Sequence, residues 1–239
     1  MFVLKIIAIL SMLACHVLIV FENHFPQYMQ MSLYYIGRIA FPIFAFSIAN
    51  GWRHTGNRLL YVLRILAMAI LAQIPFAIAL KGVEFTNIYK TFFSANLNIG
   101  FTFLLAALCL LIYDLLRKSE FPMLIALACA ILPALAFEFF TPFHVDYGYR
   151  GVALILVMYA TMNDMGMQFL SSAGILAWMS ATYSRFSVTI LLDTWLAYLA
   201  SLILIVLYNG KLGARAKYLF YIFYPLHMII LYLLKVYVF

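Results

Sequence analysis

The sequence has few charged residues. Aspartate, glutamate, lysine and arginine make up 10% of its 239 residues, whereas a soluble domain carries about 25%. Only 8 residues are acidic, against 15 Lys and Arg, so the formal net charge is +7. So few polar side chains cannot cover the surface of a soluble protein of this size, which excludes a soluble enzyme. The basic residues are also too few and too dispersed to form a nucleic-acid-binding surface.

Cysteine is scarce as well. Cys15, Cys109 and Cys129 all lie within apolar segments. Their spacing fits no zinc motif, and no two of them form an obvious pair. We therefore predict neither a disulfide framework nor a metal site.

The sequence is rich in apolar residues, which make up 67% of the chain. A helix needs about 20 mostly apolar residues to cross a bilayer. Nine segments approach this length; the sixth and seventh are short, so eight spans with one re-entrant segment is the main alternative. We predict an all-α polytopic bundle of about nine transmembrane helices, forming a single domain over residues 1–239. The segments are Phe2–Phe21, Ser32–Gly51, Leu59–Leu80, Ile99–Leu116, Phe121–Phe137, Tyr149–Met162, Met167–Tyr183, Val188–Tyr208 and Tyr218–Phe239.

Basic residues in the short loops predict the orientation in the membrane. The loops after the second, fourth and eighth segments are basic, and nine spans place all three on one side. The positive-inside rule assigns this side to the cytoplasm, so we expect a cytoplasmic-membrane protein with its N-terminus inside and its C-terminus outside. On the opposite side Lys81, Lys90 and Arg185 are diluted by acidic residues. The basic loops contain Arg53 and Arg58, Arg117 and Lys118, and Lys211, Arg215 and Lys217.

Two histidines lie inside predicted spans, where ionisable side chains are costly and usually face the bundle interior or a water-filled cavity. His16 is either a hydrogen-bonded core residue or a general base, since imidazole titrates near neutral pH. Lys5 precedes it by three helical turns and projects from nearly the same face, which favours a lined cavity. His227 lies in the middle of the last span, just after Pro225, and packing alone explains it poorly.

Arg38 lies in the second span, four residues before Pro42. Its guanidinium either extends to the lipid headgroups or faces the bundle interior. The Pro42 ring disturbs the carbonyl of Arg38 and frees that oxygen for other bonding. Ser47, Asn50 and His54 form a polar stripe on nearly the opposite face. A straight helix cannot direct both sets to one point, so the sequence requires either a kink or two separate subsites.

Two connecting segments contain polar clusters. Arg53, His54 and Arg58 surround the start of the third span; topology explains them, but they also suit a phosphate-bearing ligand from the cytoplasm. The sequence has no glycine-rich phosphate loop, so the usual ATP chemistry is unsupported. Asp146 and Arg150 flank a Tyr-Gly-Tyr turn before the sixth span. This turn is either an ordinary interfacial turn or part of a site.

Five segments, taken together and in order, carry a resemblance that covers most of the chain. They are Lys5–Ile9 leading to His16, Gly37–Phe46, Asn98–Thr102, Asp146–Gly151 and Phe220–His227. With these segments the sequence resembles the TraX family of integral-membrane acetyltransferases. The Gly-Arg-Ile-Ala-Phe-Pro and Phe-Tyr-Pro-Leu-His stretches are the most specific. This sequence has Cys15 before His16, where many relatives have aspartate.

The resemblance implies acyl transfer with acetyl-CoA as the donor. The acceptor would be the N-terminal amine of a pilin peptide or, by similarity to the wider group of multi-span acyltransferases, a hydroxyl of a cell-surface glycan. In such proteins a histidine in a span serves the chemistry and CoA is reached from the cytoplasm. That histidine corresponds in position to His16.

On this basis we assign provisional roles to the polar residues. His16 would be the general base, with Asp146 orienting it or balancing its charge. Arg38 or Asn98 would stabilise the oxyanion. A relayed mechanism, with the acetyl group carried by His16 or His227, fits equally well. The groups expected to hold the acetyl-CoA phosphates at the cytoplasmic side are Arg53, His54, Arg58 and Asn50.

Two other classes of protein would also place polar groups inside a bundle. A small-molecule transporter would line a permeation path with them, although the paired interrupted helices typical of transporter halves are not apparent in the sequence. A membrane assembly subunit would use intramembrane His and Arg to bind partner helices.

Overall fold

A computed structural model of the protein describes residues 1–85, 87–93, 96–183, 188–211 and 217–238. These residues form helices and short connections, with one isolated parallel bridge between Leu97 and Val145, which confirms the all-α prediction. In chain order the helices are α1 (Phe2–Phe21), α2 (Gln27–Arg38), α3 (Ala40–His54), α4 (Arg58–Lys81), α5 (Ile88–Phe93), α6 (Ile99–Lys118), α7 (Met123–Ala130), α8 (Leu132–Phe140), α9 (Gly148–Ala160), α10 (Met165–Tyr183), α11 (Val188–Val206) and α12 (Lys217–Tyr237).

Seven helical segments of the described chain are long and apolar enough to cross a membrane. Two of them are interrupted, because α2 and α3 form one segment and α7 and α8 another. The short α9, with 13 residues, and the less apolar α10 coincide with the sixth and seventh predicted segments. The nine predicted segments therefore all correspond to helices, while the crossing of α9 and α10 stays a prediction. The seven segments are Phe2–His24, Gln27–His54, Arg58–Lys81, Ile99–Lys118, Met123–Phe140, Thr189–Val206 and Phe220–Tyr237.

The second segment differs from its prediction at its start and contains an interruption, one of the two alternatives that the sequence left open. It begins at Gln27 rather than Ser32, because Pro26 occupies the N-cap and the Gln30 side-chain amide donates to the Phe25 carbonyl at 2.9 Å. The helix breaks at Ile39, whose N–H bonds to the carbonyl three residues back. The break lies three residues before Pro42, the residue that predicted it.

The basic loops lie at one end of the bundle, as the sequence predicts. The amino group of Met1 donates to the Lys211 carbonyl at 2.6 Å, and Arg53 Nη2 donates to the side chain of Asn163, also at 2.6 Å. We call this end, which also contains Arg58 and the C-terminus of α6, the basic end. Arg185 and Arg215 lie outside the described residues. That the basic end faces the cytoplasm stays a prediction.

A carboxylate that the sequence did not single out ties the basic end together. Asp114, near the end of α6, accepts hydrogen bonds from Trp52 Nε1 at 3.0 Å and from the Tyr159 hydroxyl at 2.8 Å. Arg58 Nη2 lies 2.6 Å from the same carboxylate, and its guanidinium stands over the Trp52 ring. Three donors from α3, α4 and α9 therefore converge on one acceptor group and hold these helices against α6.

Helix α1 buries part of its surface against other helices and leaves Val3 and Leu10 exposed. It packs against α2, α3 and α12 and also contacts α4. Consequently the polar residues of α1 face other helices, and α12 brings its own intramembrane histidine to the same place.

Candidate active site

The two intramembrane histidines meet, although they are 211 residues apart in sequence. His16 Nδ1 lies 2.7 Å from His227 Nε2, which is within hydrogen-bonding distance. The ring planes are parallel to within 3° and the ring centres are 5.0 Å apart. Since the centres are much farther apart than the nitrogens, the rings meet edge to edge. The packing of α1 on α12 thus forms a histidine pair.

His227 is held by its own helix as well as by His16. Its Nδ1 lies 2.8 Å from the Phe223 carbonyl oxygen, and its ring is stacked on the Phe223 ring at 4.8 Å between centres. The residue is buried, with 4% of its surface exposed. Both ring nitrogens of His227 are therefore engaged, and His16 is the member of the pair whose second nitrogen is left for chemistry.

A small cavity of about 50 Å³ adjoins His16. It lies among α1, α2, α3, α6, α12 and the segment before α9. Asp146 and Tyr147 contribute from that segment, and Tyr224 contributes from α12. The other wall residues, besides His16 itself, are Met12, Cys15, Gly37, Ala40, Phe41, Phe44 and Ile99. The structure thus brings the predicted pair of His16 and Asp146 to one cavity.

The chain segment that contains Asp146 is fixed by backbone pairing with the segment before α6. The Leu97 N–H donates to the His144 carbonyl and the Asp146 N–H donates to the Leu97 carbonyl, both at 2.8 Å. The hydroxyl of Thr102 donates to the Asp146 carbonyl. Tyr147 stacks on Phe41 with the rings parallel to within 7°. Two of the motifs that carried the family resemblance therefore position the carboxylate.

Asn98 has a structural role in this arrangement. It is fully buried, and its side-chain oxygen accepts from the Gly100 N–H at 2.8 Å as the N-cap of α6. Its side-chain nitrogen donates to the Ala69 carbonyl and to Gln73 Oε1. Since both amide hydrogens are used in this way, Asn98 is poorly suited to the predicted role of oxyanion donor. Its neighbour Ile99, rather than Asn98, lines the cavity.

Asp146 and His16 share the cavity without a hydrogen bond between them in the described part of the chain; the orienting bond of His16 comes from His227. Burial raises the pKa of the Asp146 carboxyl above its usual range, while Lys81 and Arg38 act in the opposite direction. This carboxylate is therefore a partly desolvated acceptor on the wall that faces away from the basic end.

Arg38 stands beside the cavity. Its guanidinium lies over the ring of Tyr34, 4.1 Å from the ring centre, and its charge acts on Asp146. Its neighbours Gly37 and Ala40 line the cavity, but Arg38 does not. The structure thus places Arg38 next to residues that line the cavity, and its direct contact with a reacting oxyanion stays a prediction.

A second cavity, of about 130 Å³, adjoins the first on the side of the basic end. Met12, Phe44, Ile99 and Tyr224 line both cavities. Lys5 lies at its far wall, where its ammonium stands 5.1 Å from the centre of the Phe220 ring. Lys5 and His16 are eleven positions apart, which corresponds to about 16 Å along α1. The two cavities therefore follow one face of α1, as the spacing of Lys5 and His16 predicted.

The four residues predicted to bind donor phosphates are not all in one place. Asn50, Arg53 and His54 line a third cavity, of about 400 Å³, at the basic end. Arg58 instead pairs with Asp114 and is therefore engaged in holding helices. Ser47, from the same polar stripe, lines the cavity that contains Lys5. The residues of the stripe therefore line two different cavities. Since the helix also breaks at Ile39, both alternatives that the sequence left open are present.

Close packing of α1 on α2 sets the position of His16. Gly37 lies against Cys15: a Cβ atom added at Gly37 would stand 2.4 Å from Cys15 Cβ. Both Cβ positions are defined by the backbone, so neither can rotate away. The absence of a side chain at Gly37 therefore lets α2 approach the turn of α1 that presents His16.

Replacing Gly37 by alanine should separate α1 from α2. We expect a loss of about 1–3 kcal/mol of stability, as is typical of overpacking, and displacement of His16. Thermal unfolding in detergent measures the loss. The matched control is Gly174→Ala in α10, where an added Cβ meets nothing within 4 Å; this change should be neutral or stabilising because alanine favours helices. Equal stability of the two variants would contradict this packing.

Several residues of the site were not recognisable as such from the sequence. Gln73 positions Asn98, Phe223 anchors His227, and Tyr224 lines both cavities. Apolar neighbours surround Gln73, so no local pattern distinguishes it, whereas Phe223 and Tyr224 lie in the Phe220–His227 segment that carried the resemblance but had no role assigned to them. The pairing of α4 with α6, and of α12 with α1, is what gives them their roles.

Comparison with known proteins agrees with these observations. The chain matches the family described as TraX protein over residues 2–235. One relative, named as the probable fimbrial assembly protein FimC, serogroup H1, of Dichelobacter nodosus, is 28% identical over 249 residues, which cover 96% of this chain and 93% of the relative. No solved structure matches the chain significantly. Since the family match extends over nearly the whole described bundle, this chain belongs to the TraX family.

Proposed function

We propose that the protein is a membrane-embedded acetyltransferase that moves an acetyl group from acetyl-CoA to an amine or hydroxyl acceptor. The observation that carries the proposal is the histidine pair beside two adjoining cavities. His16 lies at the inner cavity, and the outer cavity extends from there toward the basic end. A base held by a second residue at the end of a narrow cavity is the arrangement that general-base acyl transfer requires.

The cavity that contains Lys5 suits the thin arm of the donor. Besides Lys5, its walls are mostly apolar, with the hydroxyl-bearing Ser47, Tyr61, Tyr221 and Tyr224 as exceptions. The ammonium of Lys5 offers a charge to a phosphate at one end, and the thioester would reach His16 at the other. Arg53 and His54 line a separate cavity at the basic end, where they offer further positive or hydrogen-bonding groups to the nucleotide part.

The chemistry follows from the position of His16. An acceptor nitrogen or oxygen attacks the thioester carbonyl carbon while its proton moves to Nε2 of His16. The tetrahedral intermediate then collapses, the carbon–sulfur bond breaks, and the proton passes from Nε2 to the leaving thiolate. The products are the acetylated acceptor and CoA, and His16 returns to its neutral form.

Asp146 would orient the acceptor on the opposite wall. In its ionised form, which the charges of Lys81 and Arg38 favour, the group accepts hydrogen bonds only, so it suits an acceptor N–H or O–H. Because the cavity at His16 measures about 50 Å³, it suits a small acyl group such as acetyl. The relative named as a fimbrial assembly protein favours a pilin amine among the acceptors, and a glycan hydroxyl has the same reactivity at this site.

A test of this function uses the purified protein in detergent or nanodiscs. CoA should raise the temperature of unfolding, because a ligand that binds only the folded state stabilises it. Radiolabelled acetyl-CoA should transfer its label to a peptide with a free pilin-type N-terminus or to a sugar hydroxyl. If CoA causes no thermal shift and no CoA thiol is released, the proposal is rejected, and a transporter or an assembly subunit is favoured.

A further inference from the structure

The hydrogen bonds around the histidine pair define where its protons lie. A neutral imidazole has one N–H donor and one acceptor nitrogen. His227 Nδ1 lies 2.8 Å from the Phe223 carbonyl oxygen, a group that can only accept. This nitrogen must therefore carry the proton of His227, and its Nε2 must be a lone pair.

The same reasoning extends to His16. Its Nδ1 lies 2.7 Å from His227 Nε2, and a bond between two nitrogens needs one proton. Because Nε2 of His227 has none to give, Nδ1 of His16 is the donor. The proton of His16 is therefore on Nδ1, and its Nε2 is left as the lone pair. The reverse arrangement would set a lone pair of His227 against the Phe223 carbonyl.

We propose that His227 is a positioning residue that holds His16 in its Nδ1–H tautomer, so that Nε2 is the basic atom of the site. The kinetic consequence rests on the proposed acetyltransferase function, but the tautomer itself does not. The neutral side chain of a free histidine prefers the opposite, Nε2–H tautomer, which has no lone pair available on Nε2. Without His227, much of the population of His16 would present a proton where the base is needed.

This arrangement also gives His227 a role other than acyl carrier. One of its nitrogens is bound to Phe223 and the other to His16. Acetylation of either nitrogen would break one of these bonds. Stacking on Phe223, with the ring planes within 11°, keeps the ring in its orientation, as an orienting residue requires.

The experiment measures the tautomer of His16 directly. Protein labelled with nitrogen-15 at its histidines, in nanodiscs and without donor, is compared with two variants. His227→Gln places an amide oxygen near the former Nε2 position and can still accept the hydrogen bond from His16. His227→Leu provides no acceptor for this bond. The His16 signals are assigned by their loss in His16→Asn. We expect Nδ1–H in the wild type and in His227→Gln, with a nitrogen–nitrogen coupling across the bond in the wild type alone.

In His227→Leu the His16 signals should shift toward the Nε2–H tautomer. Acetyl transfer in this variant should fall about 100-fold in kcat with the donor KM nearly unchanged, whereas His227→Gln should recover most of the rate. An Nε2–H tautomer of His16 in the wild type overturns the proposal, as does an unaltered tautomer in His227→Leu. If His227→Leu does not fold, the spectrum of the wild-type protein still decides which tautomer His16 adopts. If no acetyl transfer is found at all, the acetyltransferase function fails, and the spectra still decide the tautomer.

Discussion

Replacing His16 by asparagine should lower the rate of acetyl transfer by about 10²–10⁴-fold, the range that a general base contributes. Asparagine places an N–H near the former Nδ1, so the bond to His227 Nε2 can persist and the fold should be retained. It has no group in the place of Nε2, so the proton acceptor is lost. The measurement is single-turnover transfer from acetyl-CoA, with thermal unfolding to confirm that the protein is intact.

The matched control for this experiment is His24→Asn. His24 is exposed, follows α1 at the end of the bundle opposite the basic end, and lines neither of the cavities beside His16. This variant should transfer acetyl at the wild-type rate. Full activity of His16→Asn in a folded protein would exclude His16 as the base, whatever the effect of the control.

Replacing Ser47 by phenylalanine should block the route of the donor. Ser47 lines the cavity of about 130 Å³ that contains Lys5, and its hydroxyl donates to the Ile43 carbonyl of its own helix at 2.8 Å. A phenyl ring at this position would project into the cavity. We expect kcat/KM for acetyl-CoA to fall about 100-fold, because a small displacement of the thioester from His16 is enough for such a loss.

Ser47→Ala is the control for the blocked cavity. It removes the hydroxyl and adds no volume, so kcat/KM should stay near that of the wild type. Both variants should unfold near the wild-type temperature, because the affected hydrogen bond lies within one helix. Unchanged kcat/KM in Ser47→Phe would show that the donor does not pass through this cavity.

Much of the fold could be predicted from the lengths of the apolar segments and from the residues that interrupt them. The nine predicted segments are helices because backbone groups in lipid must be satisfied internally, which leaves helix as the available state for a long apolar run. The break at Ile39 was one of two alternatives that the sequence left open, because Pro42 cannot complete the helical ladder. The position of Arg53, Arg58 and Lys211 at one end of the bundle followed from the number of spans, because nine spans place their loops on the same side. The start of α2 was predicted five residues late, because the polar turn after Pro26 does not look like a membrane span.

The candidate site was predictable in part. His16 and Asp146 were expected together and share a cavity. Arg58 and Asn98 were expected at donor and oxyanion positions, yet Arg58 binds Asp114 and Asn98 caps α6. A polar residue in a span predicts that it has a partner, but sequence spacing does not say whether that partner is a ligand or another helix.

By itself, the sequence determined that this protein is a helical membrane bundle with a few costly polar groups inside it, because its apolar fraction and helical spacing depend on local chemistry alone. Only the tertiary structure decided that His16 bonds His227 and that the Lys5 cavity adjoins the His16 cavity. These relations depend on how α1, α4, α6 and α12 pack. Contacts between helices far apart in the chain are set by the fit of whole surfaces, which no short motif records.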